Sequence, residues 1–203
     1  MSTTEGIHHT RDRILETALK LFSQKGYLGA TTRDIAKEAG IAEITLFRYF
    51  PSKEKLFEEM LNSYSFLPAL KGIMPDIKKM RYEDALTVIA KRFLESLNLR
   101  KDMIKIMHSE IHRYPEKIHK IYYSFIAELF TTLAAYFDDL QKEGILKSFN
   151  TELGGRAFLG MFFSYFNARE LMMLKKYRDD DTERIIKEYV KIFAAGTLKE
   201  AKS

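Results

Sequence analysis

The chain has 203 residues, 46% of them hydrophobic and 30% charged, enough for one ordinary domain with a buried core plus a small second unit. A formal net charge of +5 suits a polyanionic partner without demanding one, and the lack of any cysteine excludes disulfide frameworks, thiolate chemistry and Cys-ligated metal sites. The most apolar stretch, Phe158 to Phe166, is too short to span a bilayer, and Met1 to Thr10 has no apolar run of the secretory kind, so we expect a cytoplasmic protein with no membrane partner.

No strand-like alternation persists, and only four prolines and ten glycines punctuate the chain, which predicts an all-α fold of about nine helices. The first helix is expected over about 11–25, capped by Thr10 and ended by Gly26 as a left-handed C′ residue, with Ile14, Leu15, Ala18, Leu19 and Phe22 on one apolar face. Thr31 and Asp34 have capping-box spacing and open a second helix that Gly40 breaks after barely two turns. Glu43 to Tyr49 forms a third short helix, stopped by Phe50-Pro51-Ser52. Ser52 caps a fourth, which carries Leu56, Phe57, Met60, Leu61 and Tyr64. Pro68, Gly72 and Pro75 mark a boundary, and further helices are expected at about 82–98, 101–113, 116–143, 151–176 and 181–200, the last two separated by the run Arg178 to Asp181. We therefore expect a helix-turn-helix domain with a flexible N-terminal tail over 1–52. A helical effector-binding and dimerisation domain follows over 53–203, with the fourth helix as connector.

Two short helices around one glycine-bearing turn are the signature of a helix-turn-helix. Ala36 is small where the helices cross, and Ile41 and Leu46 pin the third helix to the first. Glu43, Ile44, Thr45 and Arg48 are left pointing outward. A helix of this length spans roughly 10 Å and fits a major groove about 12 Å wide.

The run Gly26-Tyr27 through Thr31-Thr32-Arg33-Asp34-Ile35-Ala36-Lys37-Glu38-Ala39-Gly40-Ile41 to Thr45-Leu46-Phe47-Arg48-Tyr49-Phe50-Pro51-Ser52-Lys53-Glu54 resembles the DNA-binding domain of TetR-type repressors. Glu110-Ile111-His112-Arg113-Tyr114-Pro115-Glu116 resembles a segment in the C-terminal domain of some members. The resemblance implies that Thr32, Phe47, Tyr49 and Lys53 contact phosphates, that Arg33 belongs with the DNA-binding residues, and that Glu43, Ile44, Thr45 and Arg48 form the reading face. Lys53 and the amides after Ser52 suit this independently, because a helix N-terminus is a natural phosphate site. Three positions depart from the family pattern: Ala42 stands where a capping Ser is common, Ile44 where Gly or Ala is common, and Phe47 where Tyr is frequent.

So short a reading helix gains specificity by duplication, and the resemblance implies a homodimer on a palindromic double-stranded operator. The helix near 151–176 is apolar almost all round and carries small residues. Ala157, Gly160, Met161, Ser164 and Ala168, with Tyr189 and Phe193 of the last helix, are the candidate interface. Phe66, Phe93, Met103, Met107, Tyr122, Phe125, Phe162 and Phe166 are candidate linings for a small apolar or amphipathic effector, as the resemblance implies, or else plain core. No cofactor, metal or enzymatic activity is expected. His108 and His112 are four apart, but Tyr114-Pro115 separates them from His119, and neither HExxH nor GxSxG occurs. The expected function is a ligand-responsive repressor. The alternative is a helical ligand-binding or interaction module without operator-specific DNA binding.

Overall fold

The computed structural model describes residues 3–174 and 181–199, with side chains from His9 onward. Among the described residues the architecture is all-α, with one isolated bridge between Leu146 and Leu198 in place of any strand. Among them, no helix is long and apolar enough to cross a membrane. The chain forms two compact units, each discontinuous in sequence.

The first unit comprises 1–65 and 100–125. It holds α1 (Thr3–Gly29), α2 (Thr32–Glu38), α3 (Glu43–Tyr49), α4 (Lys53–Tyr64), α7 (Lys101–Glu110), a 3₁₀ turn (Ile111–Arg113) and the start of α8 (Glu116–Lys142). Helix α1 begins well before Thr10, so Thr10 lies inside it and is not its cap. Gly26 interrupts the helical path as expected, but at φ 70 and ψ 173, a region open to glycine alone, and a further helical turn follows. The core is one cluster: Ile14, Leu15, Ala18 and Phe22 of α1 meet Ile35 of α2, Leu46 of α3, and Leu56, Phe57 and Met60 of α4. Met103, Met107, Tyr114 and Ile118 belong to the same cluster, so the 100–118 region is structurally part of this unit.

The second unit comprises 66–99 and 126–203. It holds α5 (Phe66–Ile77), α6 (Tyr82–Leu99), the rest of α8, α9 (Thr151–Phe166), a π turn (Asn167–Leu171) and α10 (Thr182–Thr197). Helix α5 occupies the segment whose prolines were expected to mark a boundary. Pro68 falls in the first turn, where its missing N–H has no helical partner to lose, and burial of Phe66, Leu67, Leu70 and Ile77 carries the helix past Pro75. The expected single helix over 151–176 gives way to the π turn at Asn167; its final residues 175–176, most of the Arg178–Asp181 break, and Glu200 at the expected end of the last helix lie outside the described residues. Phe193 of α10 packs on Phe137 and Phe158, with ring centroids 5.7 and 5.0 Å apart. Beyond α10, Lys199 N–H donates to the Ile145 carbonyl and Lys147 N–H to that of Thr197, clipping the end of α10 to the loop after α8.

Gly26 cannot be replaced without strain. A Cβ there would run into the carboxylate of Glu110, on a backbone that side chains rarely adopt. Gly26→Ala should therefore destabilise the protein by about 3 kcal/mol in denaturant titration. Adding Glu110→Ala should restore only the part owed to the collision.

Candidate nucleic-acid interface

Helix α2 opens on its expected cap. Thr31 Oγ accepts from Asp34 N–H at 3.0 Å. The Asp34 carboxyl is held below its usual range by a hydrogen bond from Lys25, then by Thr31. The turn runs through Gly40 at φ 66 and is tied by Ile41 N–H to the Ala36 carbonyl at 3.0 Å. Helix α3 then begins on Ala42, whose backbone is extended at φ −71 and ψ 146 and whose side chain caps nothing. Leu46 is its fully buried residue. That single anchor sets the outer face: Ile44 is 67% exposed, Phe47 39%, and Arg48 is exposed, while Glu43, Thr45 and Tyr49 are half-buried.

The end of α3 is held from below. Phe50 is buried, and the guanidinium of Arg11 lies 5.5 Å from its ring centroid while pairing with Glu59 of α4 at 2.6 Å. Ser52 caps α4 by accepting from Lys55 N–H at 3.1 Å. The Glu54 carboxyl sits below its usual range because its own backbone N–H and the Ser52 hydroxyl bond it.

The residues expected at phosphates are placed unequally. Arg33 is well exposed, its side chain 86% accessible. The Thr32 hydroxyl donates to Glu43 Oε1 at 2.7 Å. Lys53 Nζ rests 4.3 Å from the ring centroid of Tyr27, and this burial lowers its pKa. Tyr27 is itself raised above the usual phenol range, first by burial and then by the charge of Glu54. Around it gather Phe22, Phe57 and Tyr114, at 5.8, 5.1 and 5.7 Å between centroids. The Tyr114 hydroxyl donates to Glu110 Oε2 at 3.2 Å, and burial pushes its pKa up to about 12. The packing of Glu110 and Tyr114 under the reading head was not foreseen. The sequence signal was only the Glu110–Glu116 run, whose resemblance to a segment of some TetR-type C-terminal domains names no partner.

Of the candidate effector residues, Met103, Met107, Tyr122 and Phe125 fall in the first unit, the two methionines buried in its core and Tyr122 packed against it. Phe66, Phe93, Phe162 and Phe166 are buried in the second unit, where Phe66 and Phe93 touch at 5.1 Å. A cleft of about 890 Å³ in the second unit, between α6 and α10, is lined by Glu83, Asp84, Glu183, Arg184, Lys187 and Lys191 among others and includes none of the eight. Of the candidate interface residues, Ala157, Gly160 and Ser164 are exposed on α9. Met161, Ala168, Tyr189 and Phe193 are half-buried, with Tyr189 5.5 Å from the Phe162 ring.

A three-helix head with its second short helix exposed, joined in one chain to a second helical unit, defines the class: a helix-turn-helix regulator. The family model for bacterial regulatory proteins of the tetR family matches residues 14–60, and that for the AefR-like transcriptional repressor C-terminal domain matches 84–196. The HTH-type transcriptional regulator YvkB of Bacillus subtilis is 31% identical over 158 residues, covering 77% of this chain and 81% of its own. IcaR of Staphylococcus aureus, a negative transcriptional regulator of the biofilm operon icaADBC, is 30% identical over 135 residues, covering 64% and 70%. In fold, a chain from Mesorhizobium loti assigned to the TetR-family regulators superposes with a TM-score of 0.77 at 19% identity, covering 95% of this chain and 98% of its own. FadR of Bacillus subtilis, solved with stearoyl-CoA, gives 0.64 at 17% identity, covering 91% and 97%. The chain belongs to the TetR family and is a transcriptional regulator.

The uncapped start of α3 is open to repair. Ala42 is exposed and already has N-cap geometry, so Ala42→Ser should raise the melting temperature by about 2–4 °C for a gain of about 1 kcal/mol.

Proposed function

We propose that the protein is a ligand-responsive repressor acting in the cytoplasm: a homodimer that binds a palindromic operator and leaves it when a small apolar or amphipathic effector binds. The observation that carries this reading is the outer face of α3, where Ile44, Phe47 and Arg48 stand exposed above a buried Leu46. In this reading Ile44 and Thr45 meet base edges, the former suited to a thymine methyl, and Arg48 pairs with guanine. Arg33, Phe47, Tyr49 and the amides at the start of α4 lie toward phosphates, where Lys53 joins them by leaving the Tyr27 ring. The negative regulation named for IcaR supports repression.

The dimer reading is supported by α9, whose exposed residues Ala157, Gly160 and Ser164 recur at helical spacing beside Leu153, 59% exposed, and by Ile192 of α10, 61% exposed. Stearoyl-CoA on FadR, a protein of the same fold, supports an amphipathic effector, held by aromatic side chains of the second unit. The functional division falls at Ser52, with α4 as connector: it starts at the DNA-facing Ser52 cap and is separated from α5 by Ser65 alone. Emptying the operator requires an effector preference of a few kcal/mol between two states of the dimer.

Selection of bound sites from genomic DNA should return a palindrome with half-sites about 34–36 Å apart or a multiple of that. On such a site, Arg48→Ala should weaken binding by about 1–3 kcal/mol and relax one base pair, whereas Lys53→Ala should weaken binding to all sequences and reduce the salt slope by about 1. Unchanged affinity in both variants, measured by fluorescence anisotropy, would remove the assignment. Light scattering should give twice the chain mass. Mass spectrometry of material co-purifying with the native protein should find an apolar or amphipathic molecule, and a consistently polar, highly charged one with no apolar portion would overturn that part.

A further inference from the structure

We propose that Glu43 is a positioning residue that braces the reading helix to α2, and not a reader of bases. The inference rests on α3 being the reading helix. Three observations carry it. The N-terminus of α3 lacks a side-chain cap, because Ala42 has none to offer. Glu43, next in the chain, turns its carboxylate sideways: Oε1 accepts the Thr32 hydroxyl at 2.7 Å, and Oε2 lies 3.7 Å from Arg33 Nε. Its side chain is only 35% exposed, against 86% for Arg33 and 67% for the whole of the adjacent Ile44.

A carboxylate that reads sequence must offer an oxygen outward to a base amino group, that of cytosine or adenine. Here both oxygens face the first residues of α2, and the first of the two contacts has the length of a strong charge-assisted hydrogen bond. The bond joins the beginnings of two helices of seven residues each, neither long enough to hold its own orientation. It also commits the Thr32 proton. That hydroxyl cannot donate to a phosphate while it donates to Glu43, so the DNA-facing donor on this edge is Arg33. A fixed negative charge beside it opposes the general attraction of the head for any duplex and favours sites that supply base contacts as well.

Glutamine separates the two roles, since its amide oxygen can still accept from Thr32 while the charge is gone. In the full-length protein without DNA, Glu43→Ala and Thr32→Val should each lower the melting temperature. The double variant should be no worse than the weaker single, and Glu43→Gln should melt near the parent. In binding-site selection, Glu43→Gln should keep the parent's preference at every position while its affinity for random duplex rises severalfold. Additive losses in the melting series, or a changed preference at one base pair in Glu43→Gln, would overturn the brace. If the parent selects no sequence, the proposed operator-specific binding falls, and the melting series decides the brace by itself.

Discussion

Helices of seven residues are too short to persist in water, so α2 and α3 depend on what lies beneath them. Ile35 and Ala36 from α2, Ala39 at its C-terminal cap and Leu46 from α3 are almost wholly removed from solvent against α1 and α4. Truncating a residue such as Leu46 would cost about 2–5 kcal/mol, a large part of an ordinary folding free energy. The same burial fixes the rotation of α3 about its axis. With Leu46 inward, Ile44, Phe47 and Arg48 have only the outward direction left. The packing underneath and the chemistry presented above are thus one constraint.

Charge on the head is held in reserve. Lys20 pairs with Glu38 at 2.6 Å and Lys25 with Asp34 at 3.3 Å, all four side chains substantially exposed, and the exposed Arg33 lies 3.7 Å from the half-buried Glu43. Such surface pairs contribute about 0–1 kcal/mol, so a phosphate can displace a carboxylate at small cost. On the proposed reading the pairs also limit the net attraction for polyanions, and the expected salt dependence of binding is moderate. Arg11 is different in kind: between the Phe50 ring and the Glu59 carboxylate it ties α1 to the end of α3 and to α4.

A second joint lies at the far end of α1. The Tyr27 ring meets Phe22, Phe57 and Tyr114, and carries Lys53 on its face. Glu110 lies so close to Gly26 that a Cβ there would displace its carboxylate. A segment distant in the chain, on the far side of α5 and α6 in sequence, thereby becomes part of the platform under the reading head. This is why the compact units interleave along the sequence, while the functional division proposed at Ser52 follows the chain.

Local signals determined much of this protein before any coordinates. The turn at Gly40, the Thr31–Asp34 box, the Ser52 cap and the stop at Phe50-Pro51 are chemistry between residues a few positions apart, and periodic apolar residues mark each long helix. Those features exposed the helical class, the helix-turn-helix and, of the outward set on α3, Ile44 and Arg48, while Glu43 and Thr45 are half-buried. What they could not decide depended on partners distant in sequence. Helix α5 forms despite Pro75 because Phe66, Leu67 and Leu70 find a core to enter. Met103 and Met107 have the composition of a pocket lining, yet they pack into the core of the head. Glu43 reads from spacing as an outward residue, and only the meeting of two helix starts turns its carboxylate to Thr32. Spacing along one helix determines which side chains share a face; what that face meets is decided by the free energy of burying it against the rest of the chain.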